Sequence, residues 1–228
     1  MANPRNQKPG WLVTRVENAL RRAYATIRVE PDDYLLQLRM AHRLPVQSYD
    51  GLFTLPIEEL DVVAQQAIRA GMKMAAAEGA GFGLGGFLTV VPDISVLSAI
   101  TMRTIQKLSL IYGFQFNTDE EVAELWIAAA SAAGVDISRE LLEKTVLKKF
   151  IQAVIRRIAT QMSAEMAEKM VARVIPIASS VVGATLNYYF VRAWGRRAVV
   201  HFRQKHLAER ERRKQQQILL PAAPSEIR

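Results

Sequence analysis

Apolar residues along this chain recur mostly three and four positions apart, the period of helices packed through one face. Trp11–Arg28 predicts a first helix, with Trp11, Val16, Leu20 and Tyr24 on one side. Pro31 marks a restart, and Asp32 to about His42 predicts a second helix carrying Tyr34, Leu35, Leu38 and Ala41. Arg43–Leu55 holds a proline and an Asp-Gly pair and has no clear period, so it reads as a loop, a hinge between an N-terminal arm and the main body. Thr54 and Pro56 open a third helix, with Glu58, Glu59 and Asp61 near its positive end. Its seam is Ile57, Leu60, Ala64, Ala67, Gly71 and Met74, whose small members call for a close neighbour. This helix runs into Gly79.

Asp93, just after Pro92, is placed to cap the next helix, whose apolar face is Ile94, Leu97, Ile100, Ile105, Leu108 and Ile111. Tyr112-Gly113 ends it, since glycine is favoured just beyond a helix C-terminus. Thr118-Asp119-Glu120-Glu121 is a capping box that opens a helix containing Leu125, Trp126 and a run of alanines, closed by Gly134. Asp136 or Ser138 begins a long helical region in which Leu142, Val146, Phe150, Val154, Ile158, Met162, Met166 and Met170 recur every four residues, with a break near Gln161–Ser163. Pro176 begins a last helix, and disorder is expected from about Gln215. No β-pattern and no tandem repeat is present. The fold class expected is all-α: a single helical bundle with a buried glycine-rich helix–helix segment and a basic C-terminal helical extension. The domain reading is 1–45 as an N-terminal helical arm, 46–205 as the main helical domain, and 206–228 as a basic extension and tail.

Two uncharged segments stand out. Five of the twelve glycines, Gly79, Gly81, Gly83, Gly85 and Gly86, fall within eight positions, and no charge occurs between Glu78 and Asp93. Glycines are costly to order, so this density implies close backbone approach or positive φ angles. Val174–Val191 is also uncharged and includes Val181-Val182-Gly183-Ala184 and Asn187-Tyr188-Tyr189. The two segments are expected to meet each other in the interior. Fourteen helical residues at 79–92 reach about 21 Å and eighteen at 174–191 about 27 Å, against a hydrocarbon core of about 30 Å. Extension of the first through Asp93 would place a carboxylate mid-bilayer. Buried core helices are therefore preferred to contact with a membrane, and both to true spanning.

Composition narrows the function classes. Half of the 228 residues are hydrophobic, and cysteine is absent, which excludes disulfides, thiol nucleophiles and thiolate metal sites. Met1 to Gly10 is polar, so no secretory signal is expected. The formal charge of +8 points to anionic lipid headgroups or nucleic acid. Past Val191 come Arg192, Arg196, Arg197, Arg203 and Lys205, candidates for headgroup contact, then Arg210, Arg212, Arg213 and Lys214. No nucleic-acid-binding motif is present among them, so specific nucleic-acid recognition is not expected.

No catalytic constellation emerges. Gly81-x-Gly83-x-x-Gly86 matches a dinucleotide fingerprint only as a string, since no βαβ unit surrounds it. Asp93 and Arg103 lie ten apart on one predicted helix, too far to pair along it. His42, His201 and His206 have no metal-ligand spacing and read as surface histidines. Carboxylates cluster at Asp32/Asp33, Glu58/Glu59 and Asp119–Glu121, where helix dipoles account for them. No metal and no cofactor is expected.

The block Gly79-Ala80-Gly81-Phe82-Gly83-Leu84-Gly85-Gly86, then Pro92-Asp93-Ile94, Arg103-Thr104-Ile105 and Tyr112-Gly113-Phe114, resembles the EcsC family of bacterial proteins. So does the later Ile175-Pro176 … Val182-Gly183-Ala184 … Asn187-Tyr188 … Arg196-Arg197-Ala198. The resemblance covers about residues 50–205, with Ser179-Ser180 where relatives often have glycine. It implies association with membrane transport, since the family is named for the third protein of an operon that also encodes an ABC transporter's ATPase and membrane subunit. It supplies no catalytic residues. The structural or ligand-contact candidates are Gly79, Gly81, Gly83, Gly85, Gly86, Asp93, Arg103, Tyr112, Gly183 and Asn187.

The leading expectation is a non-enzymatic protein on the cytoplasmic face of the cell membrane, bound to anionic lipid or to a membrane protein partner and accessory to transport. The alternatives are a hydrolase acting on a lipid-like substrate through Asp93, and nucleic-acid binding through the basic tail.

Overall fold

The computed structural model describes residues 10–81, 94–137, 146–171 and 179–219, with side chains over 10–77, 94–137, 146–167 and 187–218. Every regular element among them is helical: α1 Gly10–Thr26, α2 Pro31–Met40, a 3-10 turn Asp50–Thr54, α3 Ile57–Gly81, α4 Ile94–Ile111, α5 Asp119–Ala132, α6 Leu147–Val171 and α7 Ser179–Leu219. The fold is all-α. At its centre is α4, which packs against α1, α2, α3, α5 and α7. It is the one helix among the described residues long and apolar enough to cross a bilayer. Most of its length is buried against its neighbours, as in the core helix of a bundle, and its two cations Arg103 and Lys107 fall on the less buried side.

The local chemistry at helix ends explains why the elements stop where they do. At the start of α5, the Glu121 amide donates to Thr118 Oγ1 at 3.3 Å and the Glu121 carboxylate accepts from the Thr118 amide at 3.0 Å, completing the expected capping box. Gly113 (φ +90°) and Gly134 (φ +73°) close α4 and α5. At each, the amide of the residue after the glycine reaches back, Phe114 to the Ser109 carbonyl and Val135 to the Ala130 carbonyl. That paired pattern needs a left-handed residue, which glycine adopts without a Cβ penalty.

The stretch expected to hinge is pinned instead. Leu44, Val46, Tyr49, Leu52, Phe53 and Leu55 are buried, and the Tyr49 hydroxyl donates to the Pro31 carbonyl at 2.5 Å. The α1–α2 connector is held by the Val29 amide, which donates to the side chain of Gln106 at 2.8 Å. Helix α1 packs on α4 and α6, so it lies within the bundle.

Four details of the sequence reading change. Trp11 is exposed and Leu12 takes its place inside, because one position rotates a side chain by 100° and the first turn is the least constrained. Met74 is exposed at the end of the α3 seam. A seam spaced every 3.5 residues drifts about 20° per heptad on a straight helix, and by Met74 it has rotated out while Met72 and Ala75 have rotated in. No break occurs at Gln161–Ser163; α6, which packs on α1 and α5, continues through it with Met162 fully buried. Helix α7 runs past Gln215 to Leu219. Its last turns carry the ion pairs Arg212–Glu209, Arg213–Glu209 and Lys214–Glu211, and Arg213 also reaches Asp50 on the 3-10 turn.

Helices α3 and α7 form the most extensive pair and run antiparallel. Leu55 meets Arg210, Asp61 meets Arg203, Ile68 meets Gly195 and Gly71 meets Val191. Glycine permits this approach. A Cβ on Gly195 would stand 2.9 Å from Ile68 Cγ1. One on Gly71 would stand 2.6 Å from Thr104 Oγ1 on α4 and 3.2 Å from Val191 Cγ1 on α7. The expected meeting of residues 79–92 with residues 176–191 falls largely outside the described residues, which hold only 79–81 of the first segment.

Candidate functional site

The close α3–α7 contact builds a cleft on its outer side. Gly71 and Gly195 let the two helices approach, with Ile68 and Met72 buried at the cleft floor and Arg69, Lys73, Arg192 and Arg196 at its walls. Each wall presents two cations four residues apart, hence on the same side of its helix. Gln65 and Tyr188 complete a cleft of about 380 Å³, near the lower end of the roughly 300–1,000 Å³ usual for small-ligand sites. None of the four cations has a carboxylate partner within ion-pair distance among the described residues.

The positive field extends across α3 onto α4. A smaller cavity of about 20 Å³ lies on that side, lined by Ala67, Ala70, Met74, Arg103 and Lys107. Burial, and then the adjacent Arg103 charge, pushes the Lys107 ammonium below the usual lysine range. Its Nζ sits 5.5 Å from the centre of the Tyr34 ring. No Asp or Glu occurs on α4, between Val62 and Ala77 on α3, or between Ser179 and Ala208 on α7. Six cations on three adjacent helices thus face outward without a counter-charge on those stretches. Like charges about 4 Å apart repel by roughly 1 kcal/mol even in water, a cost that a bound anion removes.

The remaining basic candidates are engaged inside the protein. Arg203 donates to Asp61 at 2.9 Å and Lys205 to Glu124 at 2.7 Å. Arg197 donates to the Ala132 carbonyl and lies 3.7 Å from Glu165. A second cleft of about 300 Å³, lined by Asp50, Phe53, Glu121, Glu124, Lys205 and Arg213, has one carboxylate more than it has cations, with Arg213 paired to both Asp50 and Glu209. Tyr112 is buried, and its hydroxyl donates to the Asp61 carboxylate at 2.6 Å, joining the end of α4 to α3 and, through Arg203, to α7. Burial and this hydrogen bond raise the Tyr112 hydroxyl well above the usual phenol range. Asn187 is buried with Oδ1 unpartnered. Arg103 is exposed. Gly79, Gly81 and Gly183 lie in the helical backbone of α3 and α7, whereas Gly83, Gly85, Gly86 and Asp93 lie outside the described residues.

The structure therefore brings Arg192 and Arg196 together with Arg69 and Lys73, which the sequence reading did not select. The available signal was the repeated four-residue spacing of cations on stretches free of acids.

His206 corrects the expectation of a surface histidine. Its ring is fully buried, stacked on Phe53 at 4.6 Å, with Nδ1 2.9 Å from the Tyr112 carbonyl and Nε2 unpartnered. His201 is half-buried. Burial pushes both below the ordinary value of 6.5; the positive neighbours Arg210 and Arg213 add to this at His206, against the Tyr112 carbonyl and Asp61. The unfolded chain therefore takes up these protons at higher pH than the folded chain does. Stability is fully present above pH 6.5 and falls as pH drops below it, by at most about 1.4 kcal/mol per pH unit for each group. Urea midpoints compared at pH 7.5 and 5.5 should show this loss, and it should shrink in His206→Phe.

A family model described as the EcsC protein family matches residues 26–207. The chain is also 28% identical over 129 residues to Protein EcsC of Bacillus subtilis (strain 168), a match covering 57% of this chain and 55% of that protein. The match thus spans about half the length of that curated relative. No solved structure matches. With the family model covering most of its length, including both walls of the cleft, this chain belongs to the EcsC protein family.

Proposed function

We propose that this protein is a non-catalytic, membrane-peripheral protein that docks on anionic lipid through the outer face of α3, α4 and α7. The observation that carries the reading is the set of six cations, Arg69, Lys73, Arg103, Lys107, Arg192 and Arg196, on helical stretches without acidic residues. Most other basic side chains of α7 are held by carboxylates or carbonyls of the protein itself. A cleft walled by Arg and Lys, floored by Ile68 and Met72 and edged by Tyr188 suits retention of an anion. The inner face of a cell membrane supplies such a surface, at about 1 kcal/mol per basic residue near it.

Flotation with protein-free vesicles tests the proposal. The chain should float with vesicles containing 30 mol% phosphatidylglycerol, remain behind with pure phosphatidylcholine, and be released when salt is raised from about 0.1 to 0.5 M, as the screening length shortens. Failure to float with anionic vesicles at low salt, together with recovery on native membranes, would assign the face to a membrane protein partner instead.

A further inference from the structure

The cleft differs from a merely basic surface in having two cations on each of two walls, one wall from α3 and the other from α7. We infer that it recognises a phosphate monoester headgroup, of the phosphatidic acid type, in preference to the phosphodiester headgroups of other anionic lipids. The inference rests on the membrane reading above and adds the chemical class of ligand to it.

Arg69 and Lys73 approach from α3 while Arg192 and Arg196 approach from α7. A guanidinium presents a planar fork that takes two oxygens at once, and an ammonium acts as a point charge. A phosphodiester offers two free oxygens and has ester linkages on the remaining sides. A terminal monoester offers three free oxygens and up to two negative charges, so both walls reach it together. The Ile68–Gly195 and Gly71–Val191 contacts hold the helices close, so the walls need little rearrangement to bind, which favours affinity. Tyr188 in the cleft lining and Tyr189, about half exposed, both lie within about a turn of Arg192. They give the rim apolar and interfacial surface that suits a lipid and has no use for a soluble phosphate.

The test uses the full chain and phosphatidylcholine vesicles carrying either phosphatidic acid or phosphatidylglycerol, adjusted to the same zeta potential. Binding to phosphatidic acid vesicles should be at least tenfold tighter. Arg196→Lys keeps the charge but loses the fork; it should remove most of that preference, read as the ratio of the two affinities, at unchanged melting temperature. Equal binding to the two vesicle types overturns the inference and leaves membrane docking intact. Binding to neither overturns both. Calorimetric binding of free glycerol phosphate as tight as binding to phosphatidic acid vesicles would assign the cleft to a soluble phosphate and overturn the lipid source.

Discussion

Replacing Arg69, Lys73, Arg192 and Arg196 together by glutamine should weaken binding to anionic vesicles about a thousandfold. Each basic residue near a charged bilayer contributes about 1 kcal/mol, so four contribute about 4, and 1.4 kcal/mol is a tenfold change in affinity. The fold should survive, because none of the four has a carboxylate partner among the described residues and three of them are exposed. Surface replacements of this kind usually change stability by under about 0.5 kcal/mol each. Removing mutually repelling charges should, if anything, raise the melting temperature. Arg203→Gln with Lys205→Gln removes two cations from the same helix that already hold Asp61 and Glu124. That pair should cost less than tenfold in vesicle affinity. Equal losses from both sets would mean that net charge, and not this face, governs binding.

Gly71→Val should destabilise the protein by about 3 kcal/mol, the upper end of what overpacking a close-packed interior costs. Even a bare Cβ at this position falls 2.6 Å from Thr104 Oγ1 and 3.2 Å from Val191 Cγ1. Thr104 cannot rotate away freely: it is β-branched, buried, and its hydroxyl donates to the Ile100 carbonyl at 2.8 Å. Val191 is buried against the opposite side. Relief therefore requires α4 or α7 to move from α3, which also opens the cation cleft. Ala70→Val, on the exposed neighbouring position, should change stability by less than about 0.7 kcal/mol, the order of the difference in helix propensity. Urea unfolding measures both, a lower midpoint at unchanged slope being the signature of lost stability. A Gly71→Val protein as stable as the parent would show that the three helices are not in close contact there.

What could be read from sequence was what the chain decides locally. Thr118 and Glu121 are three residues apart, and Gly113 and Gly134 follow their helices directly, so the caps of α4 and α5 were legible. The small residues of α3 announced a close neighbour, and Gly71 has one on each side. The cation cleft was half legible. Arg192 and Arg196 stood in an evident basic run, but Arg69 and Lys73 lie more than a hundred residues earlier, and only the antiparallel register of α3 and α7 joins them. The same register decides which arginines remain free: Arg203 is consumed by Asp61 because residue 203 lands opposite residue 61. His206 was misread because its neighbours in sequence are Lys205, Glu209 and Arg210, whereas its neighbours in space are Phe53 and Tyr112. Local composition reports a helix's average exposure and not which face a given side chain occupies.

On the proposed function, the outer face of the α3–α7 pair is what meets the bilayer. Because the chain contains no cysteine, a single introduced thiol can carry an environment-sensitive fluorophore without background. One reporter at Gln65→Cys sits in the cation cleft; another at Gln152→Cys sits on the exposed side of α6, a helix that packs against α1 and α5. On vesicles containing phosphatidic acid, the Gln65 reporter should shift to the blue and become shielded from an aqueous quencher while the Gln152 reporter stays as it was. A shielded Gln152 reporter beside a freely quenched Gln65 reporter would contradict the account.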